Sequence, residues 1–169
     1  MEPDLHPLRL PAPALPQSGL GSVMRRIPTA VAVLATLADQ NVHATTVSSI
    51  TRVSRTPVLI SVCLRNGSRT LKSVHRAKSF AISILASGQE GFATRFASPD
   101  RPIGPGQFAG VPHHLTEYGP VIEKTAALIG CELHAVHPCG DHYIVVGEVR
   151  FADAAVDEHP LIRHDGSHR

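Results

Sequence analysis

The spacing of apolar and polar positions changes several times along the chain, and each change marks an element. From Ala30 the run AVAVLATLA is apolar throughout and of strand length, and the polar turn DQN separates it from VHATTVSSITRVS. The two runs predict a β-hairpin. PVLISVCL follows as a third strand, and its continuous apolarity predicts burial on both faces. NGSRTLKSVHRAK opens on a turn and then sets Leu71 and Val74 at helical spacing, with Ser68 as the expected N-cap. SFAISIL alternates, with Phe80, Ile82 and Ile84 on one face, so it reads as a strand. In GQEGFATRFA the rings of Phe92 and Phe96 stand one helical turn apart and predict a second helix facing a core. SPDRPIGPGQFAG is a Pro/Gly loop, and TAALIGCELHAVH and HYIVVGEVRFADA are two further strands joined by Pro138, Gly140 and Asp141.

Ahead of this pattern, residues 1–20 carry five prolines and no sustained period, which predicts an extended or mobile arm. A short helix is expected from Ser22, as cap, to Ile27, ended by Pro28. Residues 21–169 then form one domain in the order β-β-β-α-β-α-loop-β-β. Successive strands close enough to pair as hairpins favour a mostly β, antiparallel split barrel with short flanking helices over a doubly wound parallel sheet. No Gly-rich turn of the dinucleotide-binding kind joins a strand to a helix.

Composition narrows the function classes. The 169 residues are 43% hydrophobic and 18% charged, an ordinary globular balance. Only 4% are aromatic and there is no Trp, so stacking platforms for bases are scarce. The formal charge of +2 is too small to call for a polyanion, and nucleic acid is not expected as a partner. No apolar run approaches the ~20 residues of a membrane helix. Three cysteines, Cys63, Cys131 and Cys139, do not make a disulfide framework, and a cytoplasmic location is the simplest expectation.

Two clusters carry candidate chemistry. HATTVSSI sets the hydroxyls of Thr45, Thr46, Ser48 and Ser49 about Val47, on both faces of a strand, which suits either a solvated edge or a ligand-facing wall. RNGSRT places Arg65, Ser68, Arg69 and Thr70 where a helix begins, and free N–H groups with the positive end of the dipole favour phosphate there. A third cluster, CELHAVHPCGDH, holds zinc-type ligands. Alternation sets Cys131, His137 and Cys139 roughly on one face and His134 on the other, the spacing fits no common finger, and no metal site is expected.

The ordered set VMRRIPTAVAVLAT, HATTVSSITRVS, VCLRNGSRTL, SFAISILASGQEGFATRFAS, FAG and GDHYIVVGEV resembles the flavin reductase-like family, the FMN-binding split-barrel reductases of two-component monooxygenases. The resemblance spans roughly residues 22 to 168. It implies a homodimeric split barrel that binds FMN or FAD, reduces it with NADH or NADPH, and passes reduced flavin to a partner monooxygenase. Thr45, Thr46, Val47, Ser48 and Ser49 would then line the flavin. Cys63, Leu64, Arg65, Ser68, Arg69 and Thr70 would serve its phosphate side, with Arg95 and Phe96 contributing from the second helix. His142 of GDH matches a histidine that the family sets near the nicotinamide, and is the implied catalytic residue. Arg163, His164, Asp165 and Gly166 stand where the pyridine nucleotide would be held. There the sequence departs from the family, with Asp165 in place of a usual arginine. Ala30 and Ala44 replace usual glycines, and Ala44 is expected to narrow the space beside the flavin. These departures keep a second reading open: a barrel that binds flavin or another small ligand without turning over pyridine nucleotide, or that acts on an aromatic or polyketide-like substrate.

Overall fold

The structure, a computed structural model, describes residues 17–168. Of the arm expected over residues 1–20, residues 1–16 lie outside the described residues, and residues 17–20 are helical rather than extended.

A first helix, α1 (Gln17–Met24), leads to a two-residue strand β1 (Thr29–Ala30). The chain then builds β2 (Ala32–Ala38), β3 (Asn41–Val47), β4 (Thr51–Arg55) and β5 (Val58–Arg65), followed by α2 (Arg69–Ala77), β6 (Ser79–Ile84) and α3 (Glu90–Ala97). A 3-10 turn (Gly104–Phe108) and a small hairpin, β7 (His113–Thr116) and β8 (Gly119–Ile122), precede the long pair β9 (Ala127–Cys139) and β10 (His142–Ala154). Two short strands, β11 (Ile162–His164) and β12 (Ser167–His168), complete it.

Seven strands form one sheet in the order β3-β2-β6-β9-β10-β5-β4, every pair antiparallel. The two edge strands, β3 and β4, are joined by residues 48–50 alone. Laid flat, six strand spacings would separate those edges by about 29 Å, whereas three linking residues reach no more than about 14 Å. The sheet is therefore rolled until its edges approach. No ladder joins β3 to β4, and across the gap the Ser49 hydroxyl accepts a hydrogen bond from the Cys63 N–H at 2.9 Å. The result is a barrel split along one seam, the antiparallel fold that the sequence pattern predicts.

Two apolar clusters flank the sheet. Inside the barrel lie Leu34, Val62, Phe80, Ile82, Cys131 and Val145, with Leu71 and Val74 of α2 packed against them. Outside, Val33, Ala35 and Ala44 pack with Phe96 of α3, Phe108 and Leu161. Strand β2 contributes to both clusters and is buried on both faces. PVLISVCL is not: in β5 the side chains of Ile60, Val62 and Leu64 are buried, while Cys63 is exposed.

The structure corrects three further expectations. VHATTVSSITRVS is two strands at opposite edges rather than one. The first helix begins at Gln17, not Ser22, and the Ser22 hydroxyl donates back to the Gly19 carbonyl at 2.7 Å instead of capping. In β9 a bulge at His134 resets the alternation, so Leu133 and Val136 both pack against the core. Cys131 is thus buried while His137 and Cys139 are exposed, and they do not share a face. Ser68 does cap α2, accepting from the Leu71 N–H at 3.2 Å.

Candidate functional site

Because the sheet leaves its ladder at Ser48–Ile50, these residues present backbone groups and hydroxyls beside the seam. Thr46, the penultimate residue of β3, donates its hydroxyl to the Ala93 carbonyl of α3 at 2.7 Å. This bond ties α3 to the strand. Together with Val47, Ser48, Ala97 and Ser98, Thr46 lines a cleft of about 490 Å³ whose far wall is Arg163 and Gly166. A second lobe of about 340 Å³ shares Ser48, Arg163 and Gly166 and adds Met24, Arg25, Ile27, Ser49 and Asp165.

The C-terminal segment reaches this place through specific contacts. Arg163 is paired with Thr29 between β11 and β1, the Asp165 N–H donates to the Arg25 carbonyl at 2.9 Å, and the Asp165 carboxylate lies 3.6 Å from Arg26. The hydroxyl cluster and three of the four expected nucleotide-holding residues, Arg163, Asp165 and Gly166, thus line one two-lobed cleft. His164 instead pairs with Ser167 in the β11–β12 hairpin.

Of the phosphate-side residues, Cys63, Leu64 and Arg65 fall on the β5 flank of the seam. Cys63 is exposed beside Ser49, and Arg65 is exposed and paired in register with His142. His142 Nδ1 lies 2.8 Å from the Asp141 carboxylate, and this hydrogen bond holds the Asp141 carboxyl below its ordinary range. The Asp141 carbonyl in turn accepts from the Asn66 N–H at 2.9 Å, which fixes the β9–β10 turn against the RNGSRT corner. His142 is not among the residues lining the cleft; it stands with Arg65 at the opposite end of the wall.

Other expected site residues are committed to structure. The Leu64 side chain lies in the barrel core and only its backbone faces the seam. Phe96 is wholly buried, its ring 5.0 Å from that of Phe108. Arg95 donates to the carbonyls of Gln107 and Gly106 at 2.9 and 3.3 Å, anchoring α3 to the 3-10 turn. The Ser68 hydroxyl is the cap of α2, which leaves Arg65, Arg69 and Thr70 as the expected residues of that corner whose side chains are not committed to a hydrogen bond; the Thr70 hydroxyl oxygen is fully buried. Ala44 does not line the cleft. Its methyl group is fully buried in the outer cluster, so the loss of glycine fills a core and leaves the cleft width unchanged.

Sequence reasoning missed a recess of about 210 Å³ between α2 and the β2–β3 hairpin, lined by Asn41, His43, Arg69, Lys72, Ser73 and Arg76. Burial, then the charges of Arg69 and Arg101, hold the His43 imidazole below its usual pKa. Burial and Arg69 likewise lower Arg101, which donates to the Ala44 carbonyl at 2.9 Å. The i, i+3, i+7 spacing of Arg69, Lys72 and Arg76 is visible in the sequence; that β3 lies against it is not. Among the described residues no group of three His, Cys, Asp or Glu side chains is placed to hold a metal ion, and no helix is long and apolar enough to cross a membrane.

A split barrel with hydroxyls and unladdered backbone at its seam, cationic side chains on both flanks and a two-lobed cleft has the donor set of a protein that binds an anionic, heteroatom-rich cofactor. The buried, unpartnered Thr70 hydroxyl beside Arg69 fits such a group. Residues 24–169 match the family described as flavin reductase like domain, and the chain belongs to it. A flavin reductase of Pseudomonas putida is 34% identical over 149 residues, covering 87% of this chain and 85% of that protein. HsaB, the reductase subunit of a flavin-dependent monooxygenase of Mycobacterium tuberculosis, is 29% identical over 150 residues, covering 87% and 78%. Among solved structures, the Streptomyces globisporus NADH:FAD oxidoreductase SgcE6, in complex with NAD and FAD fragments, superposes with a TM-score of 0.84 at 28% identity, covering 91% of this chain and 92% of that one.

Proposed function

We infer that this protein is an NAD(P)H-dependent flavin reductase that supplies reduced flavin to a partner monooxygenase. The observation that carries the reading is the shared cleft: Thr46, Val47 and Ser48 on one wall, Arg163 and Gly166 on the other. Flavin, when bound, supplies the redox chemistry by accepting a hydride from the nicotinamide. The chain's own residues do the rest. Ser48, Ser49 and the backbone of the link orient hydrogen-bond donors toward the ring, where negative charge is stabilised by preorganised groups. Arg65, Arg69 and Thr70 serve the phosphate. Arg163 meets the nicotinamide nucleotide from the opposite wall, and the cleft brings the two reactants to one place. His142, held by Asp141, has Arg65 as its cross-strand neighbour and contacts the nucleotide from the β10 end.

A homodimer acting in the cytoplasm completes the proposal. Leu20, Val23, Met24 and Ile27 are all exposed along α1 and the segment after it, and Phe151, Val53 and Val58 are exposed on the barrel. A second copy covers such surface and shields a flavin that one small barrel leaves open.

The test is NADH oxidation with added FMN or FAD, followed by absorbance and corrected for free flavin. Wild type is expected to turn over, and Arg163→Ala to raise the KM for NADH about tenfold with flavin affinity retained. No oxidation above background by the wild type would reject the reductase.

A further inference from the structure

We propose that the recess between α2 and the β2–β3 hairpin is an oxyanion subsite for the second phosphate of FAD, which makes this protein prefer FAD to FMN. The proposal rests on the flavin reading above and extends it to the choice of flavin.

Two buried polar atoms belong to residues of this recess without any hydrogen-bond partner, His43 Nδ1 and Ser73 Oγ. Ser73 is only 6% exposed. Buried polar groups in folded proteins are nearly always paired, so an orphaned pair on one recess marks a place where a ligand completes the bonding. The charge around it has one sign. Arg69, Lys72 and Arg76 line the recess, and Arg101 is close enough to act on His43. One acid, Asp39, meets this stripe, and it pairs with Arg76 at 3.2 Å. Among the described residues neither Arg69 nor Lys72 forms an ion pair.

The position favours a second phosphate over the first. The first phosphate is served by the corner where α2 begins, at Ser68–Thr70. The basic stripe runs on from there: at ~1.5 Å rise per residue, Lys72 stands about 4.5 Å farther along the axis than Arg69, and Arg76 about 10 Å. A mononucleotide has no atoms to place along that stripe. A dinucleotide continues from its first phosphate to a second and then to adenosine, which the Ala38 and Asn41 end of the recess meets. Ser73 and His43, when its Nδ1 carries the proton, donate to the second phosphate, and Lys72 neutralises it.

Titration of the full-length protein with FMN and with FAD, followed by flavin fluorescence, tests the proposal without requiring turnover. Lys72 is exposed and Ser73 has no partner to lose, so the double variant Lys72→Gln, Ser73→Ala is expected to fold. The expected result is FAD bound about tenfold tighter than FMN by wild type, with the double variant losing most of that advantage while its FMN constant moves by less than about twofold. AMP is expected to weaken FAD binding and leave FMN binding unchanged. Equal wild-type affinity for the two flavins, or equal losses for both in the double variant, would overturn the subsite while leaving the flavin reading intact. If wild type binds neither flavin, the flavin reading itself fails and the subsite with it.

Discussion

The side chain of Gln107 accepts a hydrogen bond from the backbone N–H of Ala44 at 2.8 Å, in the middle of an edge strand. The Ala44 carbonyl accepts from the Arg101 guanidinium, so both outward polar groups of Ala44 are satisfied from one loop. An open strand edge invites pairing with another chain, and here the loop covers it at the point where β3 approaches the candidate site. Gln107 is 1% exposed, and water cannot replace it. Gln107→Leu leaves a buried N–H unpaired and is expected to cost about 1–3 kcal/mol. Urea denaturation checks this; an unchanged midpoint would show that the loop does not hold the edge.

The methyl group of Ala44 gives a second test. It is buried against the outer cluster, away from the cleft. Ala44→Gly is therefore expected to lose about 1 kcal/mol through a small void and a freer backbone. Flavin affinity should change by less than about twofold. A large gain in flavin affinity would mean that the residue limits access to the ligand.

Much of this arrangement is legible in the sequence. Continuous apolarity marks β2, clean alternation marks β6, and Ser68 announces α2, because each signal is local. The break at Ser48–Ile50 is not local. No Gly or Pro interrupts TTVSSITR, and the chain changes edges only because the rolled sheet brings β5 beside β3. The pairing of β11 with β1 gives Thr46 and Ser48 their opposite wall, Arg163, more than a hundred positions away in sequence. His43 illustrates the limit most plainly: its neighbours Arg69 and Arg101 come from separate elements that only the folded chain assembles.

Gly147 is a position where side-chain volume is excluded. A Cβ there would lie 2.4 Å from the Phe80 ring and 2.8 Å from the Cys131 Cβ, inside the barrel. Gly147→Ala is expected to destabilise by about 1–3 kcal/mol through overpacking, lowering Tm by roughly 2–4 °C for each kcal/mol. A thermal melt at the wild-type temperature would contradict the packing.

The three thiols should separate by reagent access. Cys63 and Cys139 are exposed, whereas Cys131 is fully buried and its thiol is pushed up to about 12 by burial. Since the thiolate is the reactive form, a disulfide reagent should titrate two cysteines quickly in the native protein and the third only on unfolding. Rapid native reaction of all three would show that the barrel opens under these conditions.

Stability should fall on mild acidification, with His43 as one identifiable cause. Burial and the positive charges of Arg69 and Arg101 disfavour its protonated form, so the folded-state pKa lies below the unfolded value. Above ~6.5 the imidazole is neutral in both states and its contribution is complete. As the pH falls through ~6.5 toward the folded-state pKa, the unfolded chain binds a proton that the folded one refuses, and stability is lost. His43→Gln removes that proton, so the difference in denaturation midpoint between about pH 7.5 and about pH 5.5 should shrink relative to wild type. If the two proteins lose the same stability over that interval, His43 is protonated as easily in the fold as out of it, and the charges of Arg69 and Arg101 do not reach it.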